Sequence, residues 1–133
     1  PDAKRVVSVI GDSTFVHSGI SGVVEMIYNP PPTGHVLVIL DNSTTAMTGH
    51  QEHPGTGRTL SHERTTKLVL EDLVRSLGVK RVFVVEPRAG SDEFDRLLTD
   101  SLNKQELTVI IARRPCILIV QQLRKYEQQA CRC

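Results

Sequence analysis

Short apolar runs recur along this chain and are separated by segments in which apolar residues fall at helical spacing. The runs are rich in β-branched residues and predict strands at residues 5–10, 35–40, 81–85 and 107–112. The first two runs are mostly apolar and stop at Gly11 and at Asp41-Asn42. That pattern is typical of strands buried on both faces of a parallel sheet.

The helical spacings predict three helices between these strands. The first covers residues 17–28 and ends at the prolines of residues 29–32, because proline lacks an N–H and its ring clashes with the preceding turn. The second begins near Glu63, and Gly78 follows its last apolar residue as a C-cap. The third follows Ser91-Asp92-Glu93, which suits a cap and an acidic first turn.

Two segments have no clear pattern. Residues 43–61 are rich in Thr, Gly and His and predict a long loop, whereas residues 117–128 fit either a last helix or a strand leading into one. The order β-α-β-loop-α-β-α-β favours a single α/β domain over residues 1–130. We expect an open parallel sheet with helices on both of its faces.

The composition is that of an ordinary globular protein, with 133 residues of which 39% are hydrophobic and 23% charged. A net charge of +1 gives no electrostatic reason to expect a nucleic acid or a membrane surface as partner. No apolar run approaches the ~20 residues that span a bilayer, and the N-terminus has no signal-peptide pattern. Cys116, Cys131 and Cys133 are too few for a disulfide framework, so we expect a reducing, cytoplasmic location.

Polar clusters follow the first two predicted strands, at residues 11–14 and 41–44. Parallel sheets bind ligands at the carboxyl ends of their strands, so the two clusters are expected to meet at one site. Asp12 and Asn42 supply the oxygen ligands that Mg²⁺ prefers. Gly11 would allow a sharp turn and a close approach of the backbone to a ligand. Either cluster alone is more often a plain turn.

The pair Gly11-Asp12-Ser13 and Asp41-Asn42 resembles the motif of thiamine diphosphate enzymes that begins Gly-Asp-Gly and ends in Asn, with Ser13 in place of the second glycine. Within that superfamily, residues 11–57 closely resemble the α subunits of indolepyruvate ferredoxin oxidoreductases, which belong to the 2-oxoacid ferredoxin oxidoreductase family. Residues 73–85 and 111–116 resemble them more loosely. The resemblance implies a thiamine diphosphate-binding fold and the domain that holds the cofactor's diphosphate.

The resemblance also implies roles for single residues. Asp12, the side chain of Asn42 and the backbone carbonyl of Thr44 would bind Mg²⁺, which bridges the two phosphates. His17 is a candidate catalytic residue that would face the substrate or the thiazolium ring. The residues expected to contact the cofactor are Gly11, Asp12, Ser13, Thr14, Asn42, Thr44, Thr48 and Gly49.

For a whole enzyme, the resemblance implies oxidative decarboxylation of an aryl 2-oxo acid such as indolepyruvate. The products would be an acyl-CoA and CO₂, with electrons passed through 4Fe-4S clusters to ferredoxin. Cys131 and Cys133 would begin a missing iron–sulfur, ferredoxin-like module at residues 131–133. The glutamate that helps to deprotonate the cofactor would lie in another domain. Further domains of the chain, a second (β) subunit and formation of homo-oligomers are also expected.

Other interpretations stay open at this point. The chain could belong to a pyruvate or 2-oxoglutarate ferredoxin oxidoreductase or to a non-oxidative decarboxylase. It could also be a Rossmann-like binding module, although it lacks Gly-x-Gly-x-x-Gly, or a non-catalytic assembly module. His50-x-x-His53 is only a weak indication of a metal site. Glu71, in the run with Arg64, Lys67 and Arg75, is predicted to lie on a solvated helix face.

Overall fold

The computed structural model describes residues 5–30 and 32–130, with side chains described as far as residue 126. Its centre is a sheet of four strands, namely β1 (Arg5–Gly11), β2 (Gly34–Asp41), β3 (Arg81–Val85) and β4 (Leu107–Arg113). The strands lie in the order β1-β2-β4-β3, and every neighbouring pair is parallel. The predicted open parallel sheet is confirmed.

Helical segments connect and flank these strands. They are α1 (Asp12–Thr14), a π-helical turn (Phe15–Gly19), α2 (Ile20–Tyr28), two 3₁₀ turns (Ala46–Thr48 and Pro54–Thr56), α3 (Leu70–Ser76), α4 (Glu93–Leu102) and α5 (Val120–Ala130). The first helical segment therefore starts at the end of β1, five residues earlier than the spacing predicted. The last segment is a helix. Within the described ranges, no helix is long and apolar enough to cross a membrane.

The core has two layers, one on each face of the sheet. On one face, the π-helical turn, α2 and α3 cover the sheet, and on the other face α4 covers it. The first layer contains Phe15, Val23, Leu37, Ile39, Leu70, Val74, Val79, Leu107, Val109 and Ile111. The second contains Val36, Val38, Val85, Ile110 and Ala112, with Phe94, Leu97, Leu98 and Leu102 packed against it. Helices on both faces are thus confirmed.

The expectation that β1 is buried on both faces is wrong. Val7 and Val9 are 45% and 61% exposed, and exposure alternates along the strand. The cause is the strand order, because β1 lies at the edge of the sheet while α4 packs against β2 instead. Only β2 and β4, which are central, have the double-sided burial that the apolar runs predicted.

The second helix begins at Leu70 rather than near Glu63. The backbone before it bonds to the long loop: the Thr65 N–H donates to the carbonyl of Gly57, and the Leu68 N–H to that of Pro54. These bonds hold residues 65–68 extended, so the helix starts after them. Gly78, with φ of +105°, follows the helix in the left-handed conformation expected of its C-cap position.

Candidate functional site

The two polar clusters meet at the carboxyl edge of the sheet. β1 and β2 are neighbours in register, with Gly11 opposite Leu40, so the residues that follow each strand leave the sheet side by side. The Ser43 N–H donates to Oδ2 of Asp12 at 3.1 Å, and the Thr45 hydroxyl donates to Oγ of Ser13 at 2.9 Å. Hydrogen bonds therefore join the clusters that the sequence placed at one site.

Asp12 is the buried centre of this site, with only 2% of its surface exposed. Its Oδ1 accepts a hydrogen bond from the Ser13 N–H at 2.8 Å, and its Oδ2 lies 3.3 Å from Nε2 of His53. Burial acts to raise the pKa of Asp12, but the contacts with His53 and the Ser13 N–H outweigh it, and the pKa is lowered. Asp12 is consequently a carboxylate at neutral pH.

The second cluster forms a tight turn above Asp12. Asn42 Oδ1 accepts from the Thr44 N–H at 3.1 Å, and Ser43 adopts a left-handed conformation with φ of 62°. Thr44 is 4% exposed, and the carbonyl of Asn42 is held by the Cys116 N–H at 2.9 Å. Asp12 and this turn offer carboxylate, amide and carbonyl oxygens, which are hard donors that suit Mg²⁺ better than zinc.

No group of three or more His, Cys, Asp or Glu able to hold a metal occurs in the part of the chain that the structure describes. The weak His50-x-x-His53 indication is therefore unsupported, and the two histidines have separate surroundings. His53 faces Asp12, whereas His50 lines a small cavity with residues of α5.

Ser13, Thr14 and His17 lie on the first helical segment, which passes into a π-helical turn directly after Thr14. π-Helical turns are frequent at functional sites. His17 is exposed, and its Nδ1 lies 2.7 Å from the carbonyl oxygen of Ser13. A carbonyl can only accept, so Nδ1 carries the proton, and the Nε2 lone pair is left for another partner.

Thr48 and Gly49 stand at the tip of the following loop. The loop is closed by a bridge between Thr45 and Gln51, and the Thr48 hydroxyl donates to the Gln51 side chain at 2.6 Å. Both tip residues are exposed. The hydrogen bonds of Thr48 and Gly49 within the described residues stay inside this loop.

Sequence reasoning missed an ionic cluster beside the site. The Arg113 guanidinium donates from Nε to Asp41 at 2.6 Å and binds both carboxylate oxygens of Glu71 at 3.1 and 2.7 Å. Glu71 is thus a partner of Arg113 rather than part of a solvated helix face. The bond from Arg113 lowers the pKa of Glu71, and the pKa of Arg113 is raised. The strand-end rule, applied to β4, would have identified Arg113.

A second cluster attaches α5 to the long loop. Arg58 donates to Glu52 at 2.9 Å and lies 4.4 Å from the centre of the Tyr126 ring, and His62 also contacts Glu52. Cys116, before α5, is a free thiol. The predicted cluster ligands Cys131 and Cys133 lie outside the described residues.

Comparisons with known proteins give a consistent family. Residues 1–112 match the family model of the thiamine pyrophosphate enzyme, C-terminal TPP binding domain. Among curated proteins, the chain is similar to indolepyruvate oxidoreductase subunit IorA of Archaeoglobus fulgidus, with 44% identity over 93% of this chain. The same subunit of Methanothermobacter marburgensis is 41% identical over 87%, and that of Pyrococcus horikoshii 35% over 96%. The chain spans 18–19% of these relatives' length. No solved structure matches.

Proposed function

Because this chain belongs to the family of C-terminal thiamine pyrophosphate-binding domains, we propose that its carboxyl-edge site binds thiamine diphosphate through Mg²⁺. The observation that supports this most directly is the hydrogen bond from the Ser43 N–H to the buried Asp12 carboxylate. That bond unites the two halves of the metal-binding motif on adjacent strand ends, where parallel sheets hold their ligands.

In this proposal, Asp12, the Asn42 side chain and the Thr44 carbonyl bind the metal. The hard-oxygen chemistry of these donors fits Mg²⁺, which typically takes few protein ligands and completes its octahedron with phosphate and water. Asp12 is a carboxylate with a lowered pKa, so it needs no deprotonation before the cation binds.

The diphosphate would lie over the start of the first helical segment. Thr14 offers a backbone N–H group there, and Ser13 offers its hydroxyl, because the Ser13 N–H is already bonded to Asp12. Gly11 has no side chain to obstruct the approach. Thr48 and Gly49 would contact the cofactor from their exposed loop. His17, which is exposed, would contact the substrate or the thiazolium ring.

When bound, thiamine diphosphate supplies the nucleophilic carbon and the electron sink for decarboxylation. For a whole protein, we propose oxidative decarboxylation of an aryl 2-oxo acid such as indolepyruvate to an acyl-CoA. Ferredoxin would accept the electrons through 4Fe-4S clusters, and a second subunit would participate in the cytoplasmic enzyme. The printed name of the similar proteins, indolepyruvate oxidoreductase subunit IorA, supports this choice of reaction.

Calorimetric titration of the chain with thiamine diphosphate, with and without Mg²⁺, tests the proposal. We expect weak binding that depends on Mg²⁺ and that Asp12→Asn abolishes, because the amide keeps the shape of the carboxylate but removes its charge. Asp92→Asn is the matched control, since the side chain of Asp92 is 76% exposed and lies outside the site. Binding that is independent of Mg²⁺, or equal in Asp12→Asn and the wild type, would contradict the proposal.

A further inference from the structure

His53 is a buried histidine that touches Asp12 and has no role in the ligand set described above. Only 4% of its surface is exposed. Its Nδ1 accepts a hydrogen bond from the Gly55 N–H at 3.2 Å. Because Nδ1 accepts, the neutral ring carries its proton on Nε2. The loop thereby fixes the tautomer that turns an N–H group toward Asp12.

The Nε2–H of His53 is directed at the carboxylate but is imperfectly bonded. Nε2 lies 3.3 Å from Oδ2 of Asp12, while the direction of the contact falls short of a well-formed hydrogen bond. A buried donor without a good acceptor is costly. Asp12 is the acceptor within reach, so a small adjustment of its carboxylate completes the bond.

The donors around Asp12 are distributed unequally between its two oxygens. Oδ2 faces the N–H group of His53 and that of Ser43, which Asp12 shares with Asp41. Among the described residues, Oδ1 accepts from the Ser13 N–H alone. A carboxylate has about four lone-pair positions in total. Oδ1 is therefore the oxygen that keeps a lone pair for a cation.

The loop that carries His53 is built to hold the ring. The Thr56 N–H and hydroxyl both donate to the carbonyl of His53 at 2.9 Å, and the Leu68 N–H anchors Pro54. A Cβ at Gly55 would lie 3.0 Å from Cε1 of the ring. Glycine at position 55 consequently lets the backbone lie against the imidazole.

We propose that His53 is a positioning residue that holds Oδ2 of Asp12 through its Nε2–H and so presents Oδ1 to Mg²⁺ and the diphosphate. The inference rests on the proposed function. It extends that function by assigning the Pro54–Thr56 turn, which has no proposed ligand, to the orientation of a metal ligand. Groups that orient metal ligands typically contribute 10–100-fold in metal affinity.

Two substitutions of similar size separate positioning from packing. The amide nitrogen of His53→Gln can still donate to Asp12, whereas His53→Leu fills the space without a donor. We expect the affinity of His53→Gln for Mg²⁺ with thiamine diphosphate to lie within about threefold of the wild-type affinity. The affinity of His53→Leu should be about 10–100-fold lower. A purely structural role would instead lower the melting temperature of both variants without separating their metal affinities.

Calorimetry on the 133-residue chain, thermal melts of the three proteins and ¹⁵N NMR of the imidazole provide the readouts. The wild-type ring is expected to show a protonated Nε2 and an unprotonated Nδ1. Three outcomes would each overturn the inference about His53 while leaving the proposed function in place. They are the opposite tautomer, binding by His53→Leu within threefold of the wild type, and equal losses of metal affinity in His53→Gln and His53→Leu. A wild-type chain that binds no Mg²⁺–thiamine diphosphate would overturn the proposed function as well.

Discussion

Gly11 lies at the proposed cofactor site, but the fold itself does not require glycine there. Its φ of −76° and ψ of 154° are extended values that any residue can adopt, so the sharp turn expected from the sequence is not required there. A Cβ at this position would have no heavy atom within 4 Å. Gly34 is the opposite case, because its Cβ would meet the backbone oxygens of Leu102 and, at 2.8 Å, Lys104.

Gly11→Ala should therefore leave folding intact and weaken cofactor binding. We expect an unfolding free energy that is unchanged or up to about 1 kcal/mol higher, because alanine restricts the unfolded chain. An added methyl group against the diphosphate should cost about 1–3 kcal/mol, or roughly 5- to 150-fold in affinity. Chemical denaturation and calorimetric titration measure the two effects. Gly34→Ala, the control, should be clearly destabilised, and unaltered cofactor affinity in Gly11→Ala would contradict the expectation.

At this scale, the sequence predicted which residues would gather but not all of their neighbours. Asp12 and Ser13 come directly after a strand that is recognisable in the sequence. Their contact with residues 42–45 could therefore be predicted from the parallel pairing of β1 and β2. His53 could not, because it reaches Asp12 from an aperiodic loop whose path depends on backbone bonds such as that from the Leu68 N–H to Pro54. The roles of the predicted ligands stay predictions.

At the scale of elements, the Arg113 cluster ties three of them together. Arg113 ends β4, Asp41 ends β2, and Glu71 lies in the first turn of α3. The side chains of Arg113, Asp41 and Glu71 are 33%, 11% and 20% exposed. Because the Asp41 carbonyl also accepts from the Arg114 N–H at 2.9 Å, the cluster fixes the strand end from which the turn at residues 42–44 departs.

Glu71→Gln should destabilise the chain at neutral pH, by about 1–3 kcal/mol, because it removes a charged acceptor from a bidentate pair. Asp72→Asn is the matched control. Asp72 shares the first turn of α3, but its side chain is 74% exposed and its pair with Arg75 is long at 3.5 Å, so we expect at most about 1 kcal/mol. Urea unfolding measures both, and equal effects would show that the Arg113 pair adds nothing.

The same pair predicts a pH dependence. Arg113 lowers the pKa of Glu71 from its ordinary value of 4.5. The stabilisation of the folded chain by the Glu71–Arg113 pair is therefore fully present above pH 4.5. It is lost as the pH falls through the lowered folded-state pKa of Glu71. Unfolding free energies measured across that window should fall more steeply in the wild type than in Glu71→Gln.

Most of the helices and strands were predictable, because their apolar residues recur with a clear period or a proline or polar residue marks their end. β2, β4 and the end of α2 fall where the apolar runs and proline placed them. The start of α3 was not predictable, since the Thr65 N–H and the Leu68 N–H bond to the loop rather than within a helix. The exposure of one face of β1 could not be predicted either, because an apolar run does not reveal which strand lies at the edge of the sheet.

At the scale of the whole molecule, the chain should not catalyse a complete reaction. It spans less than a fifth of the length of the relatives it matches, and the resemblance implies that the glutamate which activates the cofactor would lie in another domain. With Mg²⁺, thiamine diphosphate, indolepyruvate and CoA, we expect no dye reduction above a protein-free control. Measurable turnover would place the proton-relay group within this chain and would overturn that expectation.

The strand order also determines how the chain can fold. β2 and β4 pair in the middle of the sheet, yet the paired residues Asp41 and Arg113 are 72 positions apart in sequence. β1 and β2 are joined through one helical segment, and β3 and β4 through α4, so each strand–helix–strand unit can form with little loop-closure entropy. Contacts between distant residues slow folding. We therefore expect docking of the two units to limit the folding rate, with Asp12 and Ser43 already adjacent in the first unit before Arg113 reaches Asp41.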